Sequence, residues 1–162
     1  MQQLFTGRYT AVTDQSFVLF LIGMRINRLW QVNQWWSVAK EMPPMMQALY
    51  QHPEKGFLGG YTALSWPTLV QVQYWRSFEA LEHFARNPDD PHMAAWKRFY
   101  EKVGKSDVVG IWHETYEINP GQFECIYANM PRFGLGSVFD HQPIVGRMAT
   151  ARQRKQQIVV TV

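Results

Sequence analysis

The sequence of 162 residues is poor in cysteine, and Cys125 is its single thiol. One cysteine cannot build an intrachain disulfide framework or a multi-cysteine metal site, so the sequence excludes both. Cys125 has no basic neighbour along the chain, which favours a buried, inert thiol over a nucleophile. Such sparing use of cysteine is typical of a reducing compartment, and we therefore predict a cytoplasmic location.

Long hydrophobic runs are also missing. The apolar run from Phe17 to Met24 has eight residues, whereas a helix that spans a bilayer needs about 20. The polar segment before it has no small-residue cleavage pattern, so we predict neither a signal peptide nor a membrane partner. Glycine-rich phosphate-binding motifs and the H-E-x-x-H zinc motif are absent as well, so nucleotide, flavin and zinc chemistry have no support in the sequence.

Positive charge is concentrated near the C-terminus. Four residues account for more than the whole net charge of +3, and they are Arg147, Arg152, Arg154 and Lys155. Because no basic stripe crosses the rest of the chain, we expect no nucleic-acid partner. We predict one domain over residues 1–146, with a C-terminal arm from about residue 130, and a solvated basic tail over 147–162. Folding would not require this tail, unless the apolar residues 158–160 add a strand to a partner's sheet.

Apolar and aromatic residues are abundant, and their spacing predicts an α+β fold. The predicted elements are a strand at 16–27, a helix at 33–56 split at Pro43 and Pro44, a hairpin at 57–75 turning at 65–68, a helix from Ser77 to Asn87, a helix at 89–103, a strand at 107–118 and a short strand at 122–130. This β-α-β-β-α-β order predicts the ferredoxin-like fold, in which an antiparallel sheet carries helices on one face.

The first predicted strand is apolar on both of its faces. Phe17, Leu19 and Leu21 alternate along it with Val18, Phe20 and Ile22. A strand of this kind is covered on both sides, but the helices of the predicted fold cover one side only. The simplest cover for the second face is the same sheet of another copy, so we predict a homodimer with apposed sheets.

Four stretches of the sequence resemble a bacterial and fungal family of monooxygenase-like proteins, and they are FLIGMRIN, VQYWRSFEALEHFARNPDDPH, VGIWHETY and YANMPRFGL. The resemblance extends from about Gly7 to Leu135. It implies the dimeric α/β barrel superfamily, which includes cofactor-free antibiotic-biosynthesis monooxygenases, haem-degrading monooxygenases and, as fused double-domain relatives, haem-dependent aldoxime dehydratases. Because one fold serves many reactions, the resemblance implies the fold and the dimer more closely than the reaction.

The segment DDPHMAAWKRFY, residues 89–100, begins the last predicted helix. Pro91 at the first helical position places His92 at the head of an apolar stripe that contains Trp96 and Phe99. The helix N-terminus favours a neutral imidazole, which can accept a proton or bind a haem iron. We predict His92 as a catalytic base or axial haem ligand, with Trp96 and Phe99 in the pocket. A histidine that caps its own helix or is hydrogen-bonded to a neighbouring loop is the alternative.

Arg25 and Asn27 end a strand that is otherwise apolar. Polar groups at such a place line a pocket rim or pair with a carboxylate, and the sequence leaves both open. Haem-degrading members of the superfamily use an asparagine, a tryptophan and a histidine together. By residue type, the resemblance therefore implies Asn27, Trp75 and His92 as candidate counterparts.

The stretch WHETY, residues 112–116, places alternate side chains on opposite faces of a strand. His113 is on one face and Tyr116 is on the other, and either face would line the pocket. His113 is also the second candidate for a haem ligand. Pairing of Glu114 with Arg25 or Arg76 across the sheet is the structural alternative.

Together these observations predict a monooxygenase-like oxidoreductase that acts on a small apolar or aromatic metabolite in a pocket between the sheet and the helices. The cofactor is either haem or none. Without haem, His92 would remove a proton from the substrate, and Arg25 or Asn27 would stabilise the developing negative charge. The alternatives are a haem-dependent aldoxime dehydratase-type lyase and a non-catalytic dimeric protein that binds a hydrophobic ligand or haem.

Overall fold

A computed structural model describes residues 2–87, 97, 100, 101 and 106–160 of the chain. Its elements are β1 (Phe5–Val12), β2 (Phe17–Ile26), α1 (Val32–Ala39), α2 (Met42–Gln51), β3 (Phe57–Ser65), β4 (Thr68–Trp75), α3 (Phe78–Arg86), β5 (Val109–Ile118), β6 (Tyr127–Met130), α4 (Leu135–Val138), β7 (Asp140–Pro143) and α5 (Ala151–Val160). None of the helices within these described ranges is long and apolar enough to cross a bilayer. Of the helix predicted over 89–103, Lys97, Tyr100 and Glu101 are described and helical, and the rest lies outside the described residues.

The chain divides into two compact units. The terminal unit comprises Met1–Val18 and Glu117–Val162, and the central unit comprises Leu19–Tyr116. The chain passes from the terminal to the central unit within β2 and returns within β5. These two strands therefore contribute residues to both units.

A four-stranded sheet in the order β3-β4-β2-β5 is the frame of the central unit. The hairpin β3–β4 is antiparallel, with Phe57 opposite Trp75 at one end and Ser65 opposite Thr68 at the other. Helices α1 and α2 follow β2, and α3 follows β4. The predicted ferredoxin-like fold is confirmed, with the first and third strands of the motif at the centre of the sheet.

Local sequence signals determine where the helices of the central unit begin. Pro43 and Pro44 lie in the first turn of α2, where an absent N–H breaks no helical hydrogen bond. The backbone N–H of Ala80 donates to Ser77 Oγ at 3.2 Å, and this bond caps α3. Gly56 precedes β3 with φ of 88°, a left-handed conformation that glycine adopts without strain. The predicted split of the 33–56 helix and the predicted cap at Ser77 are both confirmed.

The central sheet has an inner face, which packs against α2 and α3, and an outer face. Phe20, Ile22, Gln73 and Trp75 belong to the inner face, because they share a cavity with residues of both helices. Alternate positions belong to the outer face. The outer face comprises Leu19, Leu21, Gly23 and Arg25 of β2, Tyr61 of β3, Val70, Val72 and Tyr74 of β4, and Trp112, Glu114 and Tyr116 of β5.

The inner face also supplies the core of the central unit. Met24, Ile26, Val108 and Val109 form a cluster in which no residue is more than 5% exposed, and Trp35 and Val38 of α1 pack against it. This burial holds α1 on the same side of the sheet as α2 and α3. Helices α1, α2 and α3 therefore lie on one face, as the predicted fold requires.

A second sheet, in the order β6-β1-β7, is the frame of the terminal unit. Strand β1 is antiparallel to both neighbours, with Tyr9 opposite Tyr127 on one side and Pro143 on the other. The sequence predicts neither β1 nor β7, because each pairs with strands from the other end of the chain. The arm predicted from about residue 130 thus contains a paired strand.

Phe17 is buried within the terminal unit. Its ring lies 5.4 Å from that of Phe123 and 5.1 Å from that of Phe139, and the residue is 1% exposed. From the sequence alone, Phe17 is expected to face water unless a second copy of the chain covers it. That expectation is wrong for Phe17, because the same chain covers it, whereas Leu19 and Leu21 remain half-buried.

His141 of β7 is buried in an aromatic cluster of the terminal unit. Its ring stacks on Tyr9 at 4.7 Å and contacts the rings of Phe5 and Tyr127. The residue is 7% exposed, and neither ring nitrogen has a hydrogen-bond partner among the described residues. Burial lowers the pKa of His141, and the nearby Arg132 cation lowers it further. The folded protein therefore favours the neutral imidazole.

Helix α5 occupies the segment for which the sequence predicts a solvated tail, and the structure differs there. Arg154 is 7% exposed, and its Nε donates to Glu124 Oε1 at 2.6 Å. Its Nη1 donates to the backbone carbonyls of Met148 and Ala149 at 3.0 and 3.2 Å. Composition alone predicts a solvated segment, but the Arg154 cation joins α5 to Glu124 in the loop before β6.

We expect Arg154→Ala to lower the free energy of unfolding by about 2–3 kcal/mol, because it leaves Glu124 and two carbonyls without their donors. Arg152, which is exposed on the same helix, provides the control. Its replacement by alanine should change stability by no more than about 0.5 kcal/mol. Urea denaturation of the two variants measures the difference, and equal, small effects would support a dispensable tail instead.

Acidification should destabilise the protein through His141. The unfolded imidazole titrates near its ordinary pKa of about 6.5, whereas the folded state keeps its pKa lower. Below pH 6.5 the unfolded state therefore binds more protons, and the free energy of unfolding falls as the pH drops towards the folded pKa. Denaturation between pH 7.5 and 5.5 should show this fall, and His141→Phe should make it shallower.

His83 is exposed and supplies the control for this experiment. The variant His83→Phe makes the same substitution at an exposed position and therefore controls for the added ring itself. A His141→Phe variant with an unchanged slope would show that His141 does not carry the effect.

Candidate functional site

The inner face of the central sheet borders an apolar cavity of about 50 Å³. Phe20 and Ile22 of β2 and Trp75 of β4 form its floor, and residues of α2 and α3 form its walls. No charged side chain is among its described lining residues, and Gln73 contributes the one amide. The cavity lies where the sequence predicts a pocket, between the sheet and the helices.

Three methionines of α2 form one wall of the cavity, and they are Met42, Met45 and Met46. An unbranched thioether side chain has several rotatable bonds and adapts its shape more readily than a branched one. The opposite wall consists of Leu81, Phe84 and Ala85 of α3. The cavity is therefore small, and its α2 wall consists of the more adaptable side chains.

A chain of side-chain hydrogen bonds runs along the inner face beneath this cavity. Trp75 Nε1 donates to Gln73 Oε1 at 3.0 Å, and Gln73 Nε2 donates to Gln71 Oε1 at 3.0 Å. Gln71 Nε2 in turn donates to Thr62 Oγ1 on the neighbouring strand at 3.3 Å. The three β4 residues are two positions apart, so their side chains share one face of the sheet.

The direction of this chain follows from Trp75. An indole N–H can only donate, so the atom of Gln73 that faces it must be the amide oxygen. The amide nitrogen of Gln73 is thereby turned towards Gln71 and towards Met46, whose Sδ lies 3.6 Å away. Trp75 is among the site residues predicted from the sequence and neither glutamine is, although Gln71, Gln73 and Trp75 alternate along β4 and so form a set on one face.

His113 lies on the inner face beside this cavity. Its ring centroid is 5.7 Å from that of Phe20, which lines the cavity, and its side chain is exposed. An exposed imidazole next to an apolar wall is accessible to a ligand and to solvent at once. Trp75 and His113 are therefore on the same face of the sheet.

Arg25 and Tyr116 are on the opposite, outer face. Both are exposed, and Tyr116 OH donates to Glu114 at 2.6 Å, a bond that raises the pKa of Tyr116. Asn27 is also exposed, and its Nδ2 would lie 3.6 Å from a Cβ on Gly110. Gly110 alternates with Trp112 and so belongs to the outer side of β5. The structure thus does not bring Arg25, Asn27 and Tyr116 to the inner cavity.

The remaining predicted site residues, His92, Trp96 and Phe99, lie outside the described residues. Their assignment stays a prediction from the sequence. A haem macrocycle is many times larger than this cavity of about 50 Å³, so the cavity itself does not fit a haem. Among the described histidines, cysteines and acidic residues, no three come together as a metal site.

Cys125 lies in the terminal unit, beside β1. The backbone N–H of Ala11 donates to its Sγ at 3.2 Å, and Thr10 Oγ1 donates to its carbonyl at 2.8 Å. These contacts join the loop before β6 to β1. They support the interpretation of Cys125 as a structural thiol.

Among solved structures, the chain is similar to aldoxime dehydratase (OxdRE) in complex with butyraldoxime, with 15% identity and a TM-score of 0.65 over 94% of this chain and 43% of that one. The chain therefore spans less than half the length of that enzyme. Two further structures have lower scores. One is a dimeric ferredoxin-like protein of unknown function from Bacteroides fragilis, with 16% identity and a TM-score of 0.47 over 63% of this chain and 96% of that one. The other is SnoaB, a cofactor-independent oxygenase from Streptomyces nogalater, with 10% identity and a TM-score of 0.45 over 62% of this chain and 91% of that one.

No curated protein has a matching sequence. A sequence model of the Monooxygenase af470-like family, however, matches residues 17–135. This range contains the whole central unit and all four stretches that carry the resemblance. The matched region is most of the chain, and the expected resemblance is confirmed: the chain belongs to the Monooxygenase af470-like family.

Proposed function

We propose that the protein is an oxidoreductase of the monooxygenase type, which oxidises a small apolar or aromatic molecule bound at the inner-face cavity. Family membership supports an oxidoreductase-type enzyme. The lining of the cavity supports the substrate class, because its described residues have apolar side chains, one amide and no charge. An anionic or strongly polar substrate would lose its hydration there without finding a partner.

The chemistry that suits such a site begins with proton removal. A base takes a proton from an activated C–H or O–H of the substrate, and the resulting anion delivers electrons to dioxygen. For an activated CH₂ group the balanced outcome is a carbonyl group and one molecule of water, so the substrate itself is the reductant. This scheme needs an imidazole within reach of the cavity. It does not need haem.

Two histidines are candidates for that base. His92 is the prediction from the sequence, and His113 is supported by its ring contact with Phe20 at the cavity. Arg25 and Asn27 have no place in this version of the mechanism, because they are on the outer side of the sheet. The charge that develops on the substrate would instead meet the amide of Gln73.

Filling the cavity should abolish turnover. Ala85 lines the α3 wall, and Ala85→Phe would place a ring where the substrate binds. We expect the variant to lose at least about tenfold in oxygen uptake with any member of a panel of small phenols and enolisable ketones that the wild type oxidises, because the pocket can no longer accept it. An oxygen electrode and mass spectrometry of the product make the measurement.

His83→Phe, an exposed position on the same helix, is the matched control and should keep full turnover. In the same assay, loss of activity in His92→Ala or His113→Ala would identify the base. Haem titration of the wild type, followed by its visible spectrum, addresses the cofactor. A wild-type protein that binds members of the panel but consumes no oxygen would be a binding protein. A Soret band that persists at a fixed ratio of haem to protein would contradict the cofactor-free scheme.

We also propose that the protein is a homodimer and that the outer face forms its interface. Four residues on this face are half-buried and apolar, and they are Leu19, Leu21, Val70 and Val72. Trp112 packs against Gly23, where a Cβ would overlap the indole ring. The length comparison supports pairing, since one copy of this fold accounts for 43% of the similar aldoxime dehydratase chain. An apolar face of this kind favours a large interface.

Val72→Glu should convert the dimer to a monomer, because it buries a carboxylate in that interface. Sedimentation velocity at micromolar concentration should give twice the 19.0 kDa chain mass for the wild type and the single mass for the variant. Leu64→Glu, at an exposed position of the same hairpin, should remain dimeric. A monomeric wild type would contradict the proposal.

A further inference from the structure

We infer that one N–H of the Gln73 side chain is the recognition group of the cavity and selects uncharged ligands that carry a carbonyl-type acceptor oxygen. This inference rests on the proposed binding of an apolar molecule at the inner face and adds the chemical class of that molecule. It depends on the contacts of four residues: Gln71, Gln73, Trp75 and Met46.

Two of the four hydrogen-bonding positions around the Gln73 amide have strong partners. Its oxygen accepts from Trp75 Nε1, and one of its N–H groups donates to Gln71 Oε1, each at 3.0 Å. Trp75 is fully buried, and Gln71 and Gln73 are 4% and 6% exposed. Solvent therefore does not compete for these bonds, and the amide cannot turn over without leaving the indole N–H unpaired.

The second N–H of Gln73 is the one with a weak partner. Its nearest acceptor is Met46 Sδ, with a nitrogen–sulfur distance of 3.6 Å, and a thioether is a weak acceptor. Met46 itself lines the cavity and belongs to the adaptable wall of α2. A ligand oxygen that replaced this sulfur would exchange a weak hydrogen bond for an ordinary one, while the thioether moved aside.

The same arrangement disfavours other ligand classes. A ligand that only donates hydrogen bonds would have to share the Gln73 oxygen, which already accepts from Trp75. A charged ligand finds no opposite charge among the described lining residues and would pay a large desolvation penalty. An uncharged carbonyl compound has an acceptor and no unmatched donor, so it is the class that the cavity fits.

The test uses two probes of the same shape, butan-2-one and 2-methylbut-1-ene, in which a C=CH₂ group replaces the C=O group. Binding of each is followed by ¹⁵N NMR of the side-chain amides and by titration. Because water solvates the ketone better than the alkene, the diagnostic quantity is the ratio of the two Kd values compared between variants. Gln73→Met should shift this ratio against the ketone by about threefold to tenfold, the size of one lost hydrogen bond.

Met46→Leu keeps an apolar side chain of similar volume but removes the competing sulfur, so it should shift the ratio towards the ketone. Met42→Leu is its matched control on the same wall and should leave the ratio unchanged. This pair keeps the inference testable if Gln73→Met fails to fold. In the wild type, butan-2-one should also move the ¹⁵N resonance of the Gln73 side chain.

The outcomes separate the two proposals. Binding of both probes, with the same ratio in the wild type, Gln73→Met and Met46→Leu, would overturn the role of Gln73 and leave the apolar site intact. Failure of both probes to bind the wild type would contradict the proposed site itself, and the inference with it. A ratio that moves in Gln73→Met and Met46→Leu but not in Met42→Leu supports the inference.

Discussion

The hydrogen bond from the Trp75 indole to the Gln73 side chain is the constraint on which the inner face depends. Trp75 is fully buried, so its one donor must be satisfied inside the protein, and a neighbouring amide oxygen satisfies it. That choice turns the Gln73 nitrogen towards Gln71 and Met46. A single donor-only group thus orients a polar chain across two strands and determines which atom the cavity presents to a ligand.

The two faces of the central sheet separate groups of residues that the sequence alone does not assign to different surfaces. The inner face has a small apolar cavity with one amide, whereas the outer face carries half-buried aliphatic residues, Arg25 and Tyr116. Alternation along a strand makes this separation unavoidable, because residues one position apart cannot reach the same site. In the two proposals above, the substrate binds at the inner face and two copies associate through the outer face. The two proposals can be tested independently, since no residue contributes to both.

The terminal unit shows how buried polar groups can escape detection by composition. Arg154 is part of a basic, glutamine-rich segment, yet it is paired with Glu124 and bound to two carbonyls. His141 follows Asp140 in a stretch with no regular apolar spacing, yet its ring is enclosed by Phe5, Tyr9 and Tyr127. In both cases the partners come from distant parts of the chain, and a buried polar group is costly unless such partners or a neutral state compensate for it.

The sequence by itself determined the elements whose signals are local. The doubly apolar β2, the prolines of α2, the Ser77 cap and the hairpin of β3 and β4 depend on neighbouring residues, so the ferredoxin-like order could be predicted. Tertiary structure alone decided what depends on contacts between distant residues. These are the pairing of β1 with β6 and β7, the cover over Phe17, the burial of Arg154, and the placement of Trp75 and His113 on one face with Arg25 and Asn27 on the other. The physical reason is that spacing determines which side chains of a single strand share a face. Which strands pair, and therefore which residues of different strands share a face, depends on contacts between distant parts of the chain, as do burial and hydrogen-bond partners.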